Sequence, residues 1–354
     1  MSKIISAGTA DAKYELSQND LKDFTYNLFH DSGVDIERMI KVFDNSAVSR
    51  RHITVPLDWL KTQHTFPERN KIFNENSIEL AIEAIDDCLN NVNADYSDID
   101  NIIFITSTGL ATPTIDAELF NKLKFNTHIK RTPLWGLGCA GGAAGISRAL
   151  EFTKAYPQKI SLVVAVELCS LTFQKDDLSK SNIVATSLFS DGAAAALVAG
   201  NENKFSEKPG VKLIDSFSTI YKDSLNVMGW DFAENGFRVV FSRDIPSIVK
   251  DYVHPNIKEF LELHGLTIPD LKYYIAHPGG QKVIAAYEES LCLPAGTLKY
   301  SRKVLKEHGN MSSPSVLYVL KEFMQENNYK PGEYGLLSAL GPGFSSELVL
   351  FMTL

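Results

Sequence analysis

Between Trp135 and Arg148 the chain reads WGLGCAGGAAGISR. Residues with little or no side chain fill this stretch, and the helix-favouring run Ala143 to Ala155 continues it. A helix made of Gly and Ala admits neighbours at close range, so the stretch predicts a buried helix packed tightly behind a turn. Cys139 sits in that turn, after one glycine and before Ala140, Gly141 and Gly142. At a helix N-terminus a thiol meets free backbone N–H groups and the positive end of the helix dipole, both of which stabilise a thiolate. The small neighbours leave room for a substrate. The pattern predicts a nucleophilic cysteine.

The rest of the chain supplies a frame of strands and helices. Asn101 to Thr106 (NIIFIT) and Ser161 to Leu168 (SLVVAVEL) are nearly continuous apolar runs, which fits strands buried on both faces. Lys3 to Ala7 reads as a short first strand. Phe73 to Leu89 carries apolar residues at helical spacing, and Cys88 belongs to that packed face. Phe189 to Gly200 (FSDGAAAALVAG) is an apolar, Ala-rich run that reads equally as strand or helix. The charged linker Asn201 to Pro209 is the best place for a boundary. The second half then repeats the style of the first: a strand over Val211 to Thr219, helix over Ile245 to His264, a strand over Leu271 to Ala276, an amphipathic helix over Ser315 to Glu326, and closing strands about Gly341–Pro342–Gly343. Two such halves, 1–205 and 206–354, predict a duplicated α/β unit. With 354 residues, 44% of them hydrophobic, the chain can build one large or two intimate domains.

Net charge is -8 and no basic tail is present, which argues against nucleic acid or an anionic membrane surface as partner. The four cysteines, Cys88, Cys139, Cys169 and Cys292, form no CxxC pair. That suits a reducing, cytoplasmic setting and argues against a zinc ribbon. The opening MSKIISAG has too short an apolar run for a signal peptide, and no stretch has the length of a membrane span.

Three polar side chains lie just past structure-forming segments and are followed by small residues: Cys139, His277 and Asn310. A histidine supplies the base that a cysteine needs to act as a nucleophile near neutral pH. An amide donates a hydrogen bond to a carbonyl oxygen without changing charge, and with the histidine it forms an oxyanion site. Separation in sequence is no objection, because such partners meet in the fold. The adjacent Arg50 and Arg51 read either as solvated surface or as a docking point for a phosphorylated carrier.

The motifs LGCAGG around Cys139, LFSDGAAAALVAG from Leu188, IAHPGG around His277, GNMSSPSVLYVL from Gly309 and ALGPGF from Ala339 occur in an order and spacing that resemble a bacterial type III polyketide synthase, the chalcone- and stilbene-synthase-like branch of the thiolase superfamily. The resemblance covers nearly the whole chain. It implies a thiolase-like duplicated αβαβα layered fold and a homodimer, the latter also suggested by the apolar content of Gly136 to Leu150. It implies acyl-CoA and malonyl-CoA as substrates, no redox cofactor and no metal. Cys139 would take the acyl group, with a Cys–His ion pair keeping the thiolate. His277 and Asn310 would stabilise the enolate of decarboxylated malonyl-CoA, and the grown chain would close as an alkylpyrone, a resorcinol or a related ring. A malonyl-only synthase of phloroglucinol or naphthalene type, a single-condensation ketoacyl synthase III-like enzyme and a non-catalytic scaffold are the alternatives. Arg50 and Arg51 fall near the family's coenzyme A contacts. Ser312 matches a cavity serine and is grouped with Arg50 and Arg51 as a coenzyme A-binding position. Phe189 matches a gatekeeper phenylalanine. The second gatekeeper, counted back from Asp244, falls on Val239, with Phe237 two residues earlier. Cys169 and Thr172 match cavity-lining threonines. Thr108, Thr112 and Trp230 are further cavity positions, Thr112 matching a methionine that reaches across the dimer and Trp230 replacing a glycine. Cys169, Thr112 and Val239 together favour a roomy cavity and an acyl starter.

Overall fold

The computed structural model describes residues 2–241 and 245–354, with the backbone alone for Ile245 and Pro246. Asp244, the anchor used to place the second gatekeeper, lies outside the described residues. In chain order the strands are β1 (Lys3–Asp11), β2 (Tyr14–Ser17), β3 (Arg50–Ile53), β4 (Asn101–Thr106), β5 (Lys130–Trp135), β6 (Ile160–Leu168) and β7 (Asp191–Ala199) in the first half. The second half contributes β8 (Val211–Ile220), β9 (Met228–Ala233), β10 (Gly236–Phe241), β11 (Leu271–Ala276), β12 (Tyr334–Gly341) and β13 (Ser345–Thr353). The Ala-rich run that periodicity left open is the strand β7. It is buried along its whole length, between β1 on one side and β6 on the other. Alanine is a poor strand former on propensity, but here it lets helices approach both faces of the sheet.

Nine strands join in the order β11-β12-β13-β8-β1-β7-β6-β4-β5. The duplication is written in the pairing. From β1 outward the pairs run antiparallel to β7, antiparallel to β6 and parallel to β4. From β8 outward they run antiparallel to β13, antiparallel to β12 and parallel to β11. The two series touch where β1 and β8 share the pairs Lys3–Lys212 and Ile4–Val211.

Alternation along the strands sorts side chains into layers. Ile102, Phe104, Leu162 and Val164 face the long helix Phe66–Asn90, through its Ala81, Ala84, Ile85 and Cys88. Their neighbours Ile103, Ile105, Val163 and Ala165 face inward, onto the helices Gly141–Ala155 and Ser315–Glu326. On the far side of the second half, Tyr274, Leu336 and Leu348 pack with Ile257, Phe260 and Leu261 of the helix His254–Glu262. The result is the expected order of layers, helix, sheet, helix, sheet, helix.

The helix Gly141–Ala155 is the tight central piece. A Cβ on Gly145 would stand 2.5 Å from Ile105 Cδ1 and 2.6 Å from Val163 Cγ1, so the sheet approaches closer than any other residue permits. A Cβ on Gly142 would stand 2.4 Å from the Ser313 carbonyl oxygen of the second half. This corrects one expectation. From Ala140 to Leu150 the apolar content, with Ala143, Ile146, Ala149 and Leu150 fully buried, is consumed inside the chain, while Gly136 and Leu137 are only partly buried.

The short helices Ile36–Met39 and Lys41–Asp44 precede β3. β9 and β10 form a hairpin whose weak patterning gave no signal in the sequence. Among the described residues no helix is long and apolar enough to cross a membrane.

Candidate active site

Cys139 lies in the single 3-10 turn Gly138–Ala140, which runs directly into the helix Gly141–Ala155. Gly138 takes φ +49, a backbone conformation that other residues adopt at a cost, and thereby turns the chain out of β5 into that helix. His277 follows β11 and is tied by its backbone N–H to the Ser338 carbonyl on β12 at 2.8 Å. Asn310 follows the helix Lys299–His308 across Gly309 at φ +69. The three predicted residues therefore stand at the ends of elements from both halves.

The Asn310 amide is held in one orientation. Its Oδ1 accepts from the Ser312 backbone N–H at 2.8 Å, which turns Nδ2 outward, where one N–H reaches the Gly279 carbonyl at 3.3 Å. Ser312, at φ +60, and Asn310 lie near enough to the Cys139 sulfur to favour its ionised form. His277 is 5% exposed, and neither ring nitrogen has a hydrogen-bond partner. A buried imidazole with both nitrogens unsatisfied costs free energy unless something else arrives to pair with it.

Burial governs the charge state. It pushes the Cys139 thiol up to about 11, reinforced by the Glu167 carboxyl and only partly opposed by the Ser312 and Asn310 hydrogen bonds. Cys139 keeps some accessible surface, yet enough protein surrounds it to exclude most of its hydration. Burial pulls His277 down to about 3. Desolvation thus works against both charged members of the expected Cys–His ion pair, the thiolate and the imidazolium.

Glu167 is a site neighbour that the sequence reading passed over. It lies fully buried near the end of β6 and accepts from the Ser107 backbone N–H at 2.9 Å and from the hydroxyls of Ser107, Thr108 and Ser313 at 2.8 Å each. Burial raises its pKa, against the pull of those donors. The available signal was one acid inside a nine-residue buried strand, a position no unpartnered carboxylate occupies. Thr108 is spent in this network, since it donates to Glu167 and accepts from the Leu168 N–H at 2.9 Å.

Phe189 is bridged to Asn310 and packs at 5.5 Å from the Phe241 ring and 6.1 Å from the Trp230 ring. Trp230 lies opposite Val239 across the β9–β10 hairpin. Of the two candidates for a second gatekeeper, Val239 shares a cavity with Phe189, while Phe237 is 4% exposed and stacks behind Trp230. The ring on the other flank of Phe189 is Phe241, which the sequence reading did not single out. Cys169 and Thr172 line the same cavity as Phe189 and Val239. Burial and the neighbouring Glu167 and Asp191 carboxyls raise the Cys169 thiol well above its ordinary value, which suits a wall and not a second nucleophile. Thr112 is exposed on the loop after β4 and is not among the residues that line the cavity beside Phe189.

Arg51 corrects another expectation. It is fully buried. Its guanidinium donates to the carbonyls of Thr186 at 2.9 Å, Phe189 at 2.8 Å and Ser187 at 2.6 Å, and to Gln18 Oε1. These bonds leave it no face for a phosphate, and it instead braces the backbone that carries Phe189. Arg50 is half-exposed, 3.7 Å from Glu15.

Residues 2–202 match the N-terminal domain of the chalcone and stilbene synthases, and residues 212–354 match their C-terminal domain. The chain belongs to the chalcone and stilbene synthase family. A putative chalcone synthase of Bacillus subtilis (strain 168) is 44% identical over 99% of this chain and 98% of its own length. The 1,3,6,8-tetrahydroxynaphthalene synthase of Streptomyces peucetius subsp. caesius is 34% identical over 98% and 92%. The crystal structure of the corresponding synthase from Streptomyces coelicolor A3(2), described as a bacterial type III polyketide synthase, superposes with a TM-score of 0.92 over 99% of both chains at 28% identity. This chalcone and stilbene synthase family member is thus a condensing acyltransferase of type III polyketide synthase kind. Its family works on coenzyme A thioesters with a cysteine nucleophile, and not through a classical cofactor.

Proposed function

We propose that this synthase loads an acyl group from an acyl-CoA onto Cys139, extends it repeatedly with malonyl-CoA, and releases it by ring closure as an alkylpyrone, a resorcinol or a related aromatic product. In the loading step the Cys139 sulfur attacks the thioester carbonyl, its proton passes to a ring nitrogen of neutral His277, and coenzyme A leaves as the thiol after taking that proton. Malonyl-CoA then loses CO2. The enolate oxygen is met by the N–H of His277 and by Asn310 Nδ2, donors already held in place. The enolate carbon attacks the Cys139 thioester, a carbon–carbon bond forms, and the carbon–sulfur bond breaks. The unpaired nitrogens of His277 and the fixed Asn310 amide support these roles.

The observation that carries the starter class is an apolar recess of about 40 Å³ beside the gatekeeper. Leu21, Ile53, Leu60, Cys169, Phe189 and Val239 are among the residues that line it. The recess holds a few carbons. The likeness to tetrahydroxynaphthalene synthases favours a second reading, in which malonyl units alone build the ring. We further propose that Arg50, and not Arg51, contacts coenzyme A, that the division into halves falls near residue 205, that the synthase is a homodimer whose partner meets the exposed Thr112 loop, and that it works in the cytoplasm.

The deciding experiment supplies purified synthase with labelled malonyl-CoA, alone and with starters from acetyl-CoA to stearoyl-CoA, and reads products by mass spectrometry. Products carrying a starter tail and two or more malonyl-derived units support the proposal. A ring made from malonyl-CoA alone replaces it with the second reading. Condensation undiminished in Cys139→Ala removes Cys139 from its role, and sedimentation as a monomer removes the dimer.

A further inference from the structure

We propose that Asp11, His52 and His308 form a binding site for a divalent first-row transition ion of the zinc class, outside the condensation cavity. The three come from different elements: the end of β1, the middle of β3 and the last residue of the helix Lys299–His308. Asp11 Oδ1 stands 3.0 Å from His308 Nδ1 and 3.7 Å from His52 Nδ1, and one donor atom from each side chain lies within 4.8 Å of the others. In a tetrahedral zinc site with bonds of about 2.0–2.1 Å, ligand atoms stand roughly 3.4 Å apart. The two Asp11 separations bracket that spacing.

The surroundings fit a metal better than a simple ion pair. His52 Nδ1 is buried and has no hydrogen-bond partner, while its Nε2 stands 3.4 Å from Glu15 Oε2. A metal-binding imidazole presents one free nitrogen and has the other oriented by a carboxylate in this way. The Tyr318 hydroxyl, from the second half, shares its proton between the Ala10 carbonyl at 2.8 Å and Asp11 Oδ1 at 3.1 Å. Two imidazoles and one carboxylate select zinc, nickel or cobalt over magnesium or calcium, which prefer oxygen, and three protein donors leave a fourth position for water.

The place of the cluster gives the ion a role. His308 is followed by Gly309 and Asn310. The His52 backbone exchanges hydrogen bonds with Ser190 Oγ at 3.2 and 2.9 Å, and Ser190 N–H donates to the Asn310 carbonyl at 3.0 Å. A bound ion ties β1, β3 and the helix end together immediately behind the backbone that carries Asn310.

The test titrates untagged, chelator-treated protein with Co2+ and reads the visible d–d bands, then displaces the ion with Zn2+ while following Tm. The expected result is saturable uptake of one ion per chain, without a thiolate charge-transfer band, retained in Cys139→Ala. The apparent affinity falls by at least about tenfold in Asp11→Asn and in His52→Gln. Zinc raises Tm in the native protein and loses that effect in both variants. Absence of saturable uptake by the native protein overturns the proposal, whether or not the variants fold. So does a thiolate band, or uptake unchanged in both variants.

Discussion

The charge state of Cys139 makes the sharpest residue-scale prediction. A thiol held near 11 exposes little thiolate at neutral pH. Alkylation by iodoacetamide is therefore expected to accelerate about tenfold per pH unit between pH 7 and 9. A rate already level across that range would restore the ion pair. His277 gives the matching stability prediction. Its folded pKa, about 3, lies below the ordinary histidine value of 6.5, so its contribution is complete above pH 6.5 and is lost as pH falls toward 3. His277→Gln is expected to flatten the decline of unfolding free energy between pH 6.5 and 4 relative to the native protein, by an amount on the order of a few kcal/mol, as read from urea titrations. The two arginines separate by assay. Arg51→Ala removes the side-chain donor to the Thr186 and Phe189 carbonyls and to Gln18 Oε1, and is expected to cost about 3 kcal/mol of stability. Arg50→Ala is expected to leave Tm in place and raise KM for malonyl-CoA; an unchanged KM would leave Arg50 as plain surface.

At the scale of elements, the helix Gly141–Ala155 positions Cys139 by approaching the sheet and the second half so closely. Gly145→Ala places a methyl carbon inside contact distance of both Ile105 and Val163, neighbours that are themselves packed. Overpacking of this kind costs about 1–3 kcal/mol. The expected signature is a lower Tm together with a fall in kcat, because the same helix start carries the nucleophile. A fall in Tm with kcat unchanged would show that the helix start is insulated from its packing. The β9–β10 hairpin acts differently. It brings Trp230 and Phe241 to either side of Phe189 through strand register, so Trp230→Ala is expected to widen the range of accepted starters with little effect on the fold.

For the whole molecule, the relevant fact is that both buried helices pack into one central core between the halves. Lys321, on the second-half helix, also reaches Asp87 at 2.7 Å and Thr9 at 2.8 Å in the first half. Neither half can keep its inner face dry alone. Calorimetry is expected to show one unfolding transition, and two resolved transitions would mean that the halves are energetically separate. The sheet halves are continuous only through the short β1–β8 pairing, so it is the helices and not the sheet that couple them.

The sequence by itself determined the duplicated architecture, because apolar runs such as NIIFIT and SLVVAVEL are buried on both faces wherever they sit. It also singled out Cys139, His277 and Asn310 as candidates, because each stands at an element end before residues too small to hide it. Local chemistry suffices for such positions. What it left open depended on which side of an element a residue faces. Arg50 and Arg51 look alike in sequence, and only the pairing of β3 with β2 sends one outward and the other beneath the Phe189 backbone. The strand identity of the Ala-rich run was fixed by the neighbours β1 and β6, not by propensity. Phe241 became a gatekeeper flank, and Asp11, His52 and His308 became one cluster, through contacts between residues far apart in the chain. The desolvation that opposes charge on Cys139 also comes from the fold, since it is a property of the assembled volume and not of any motif.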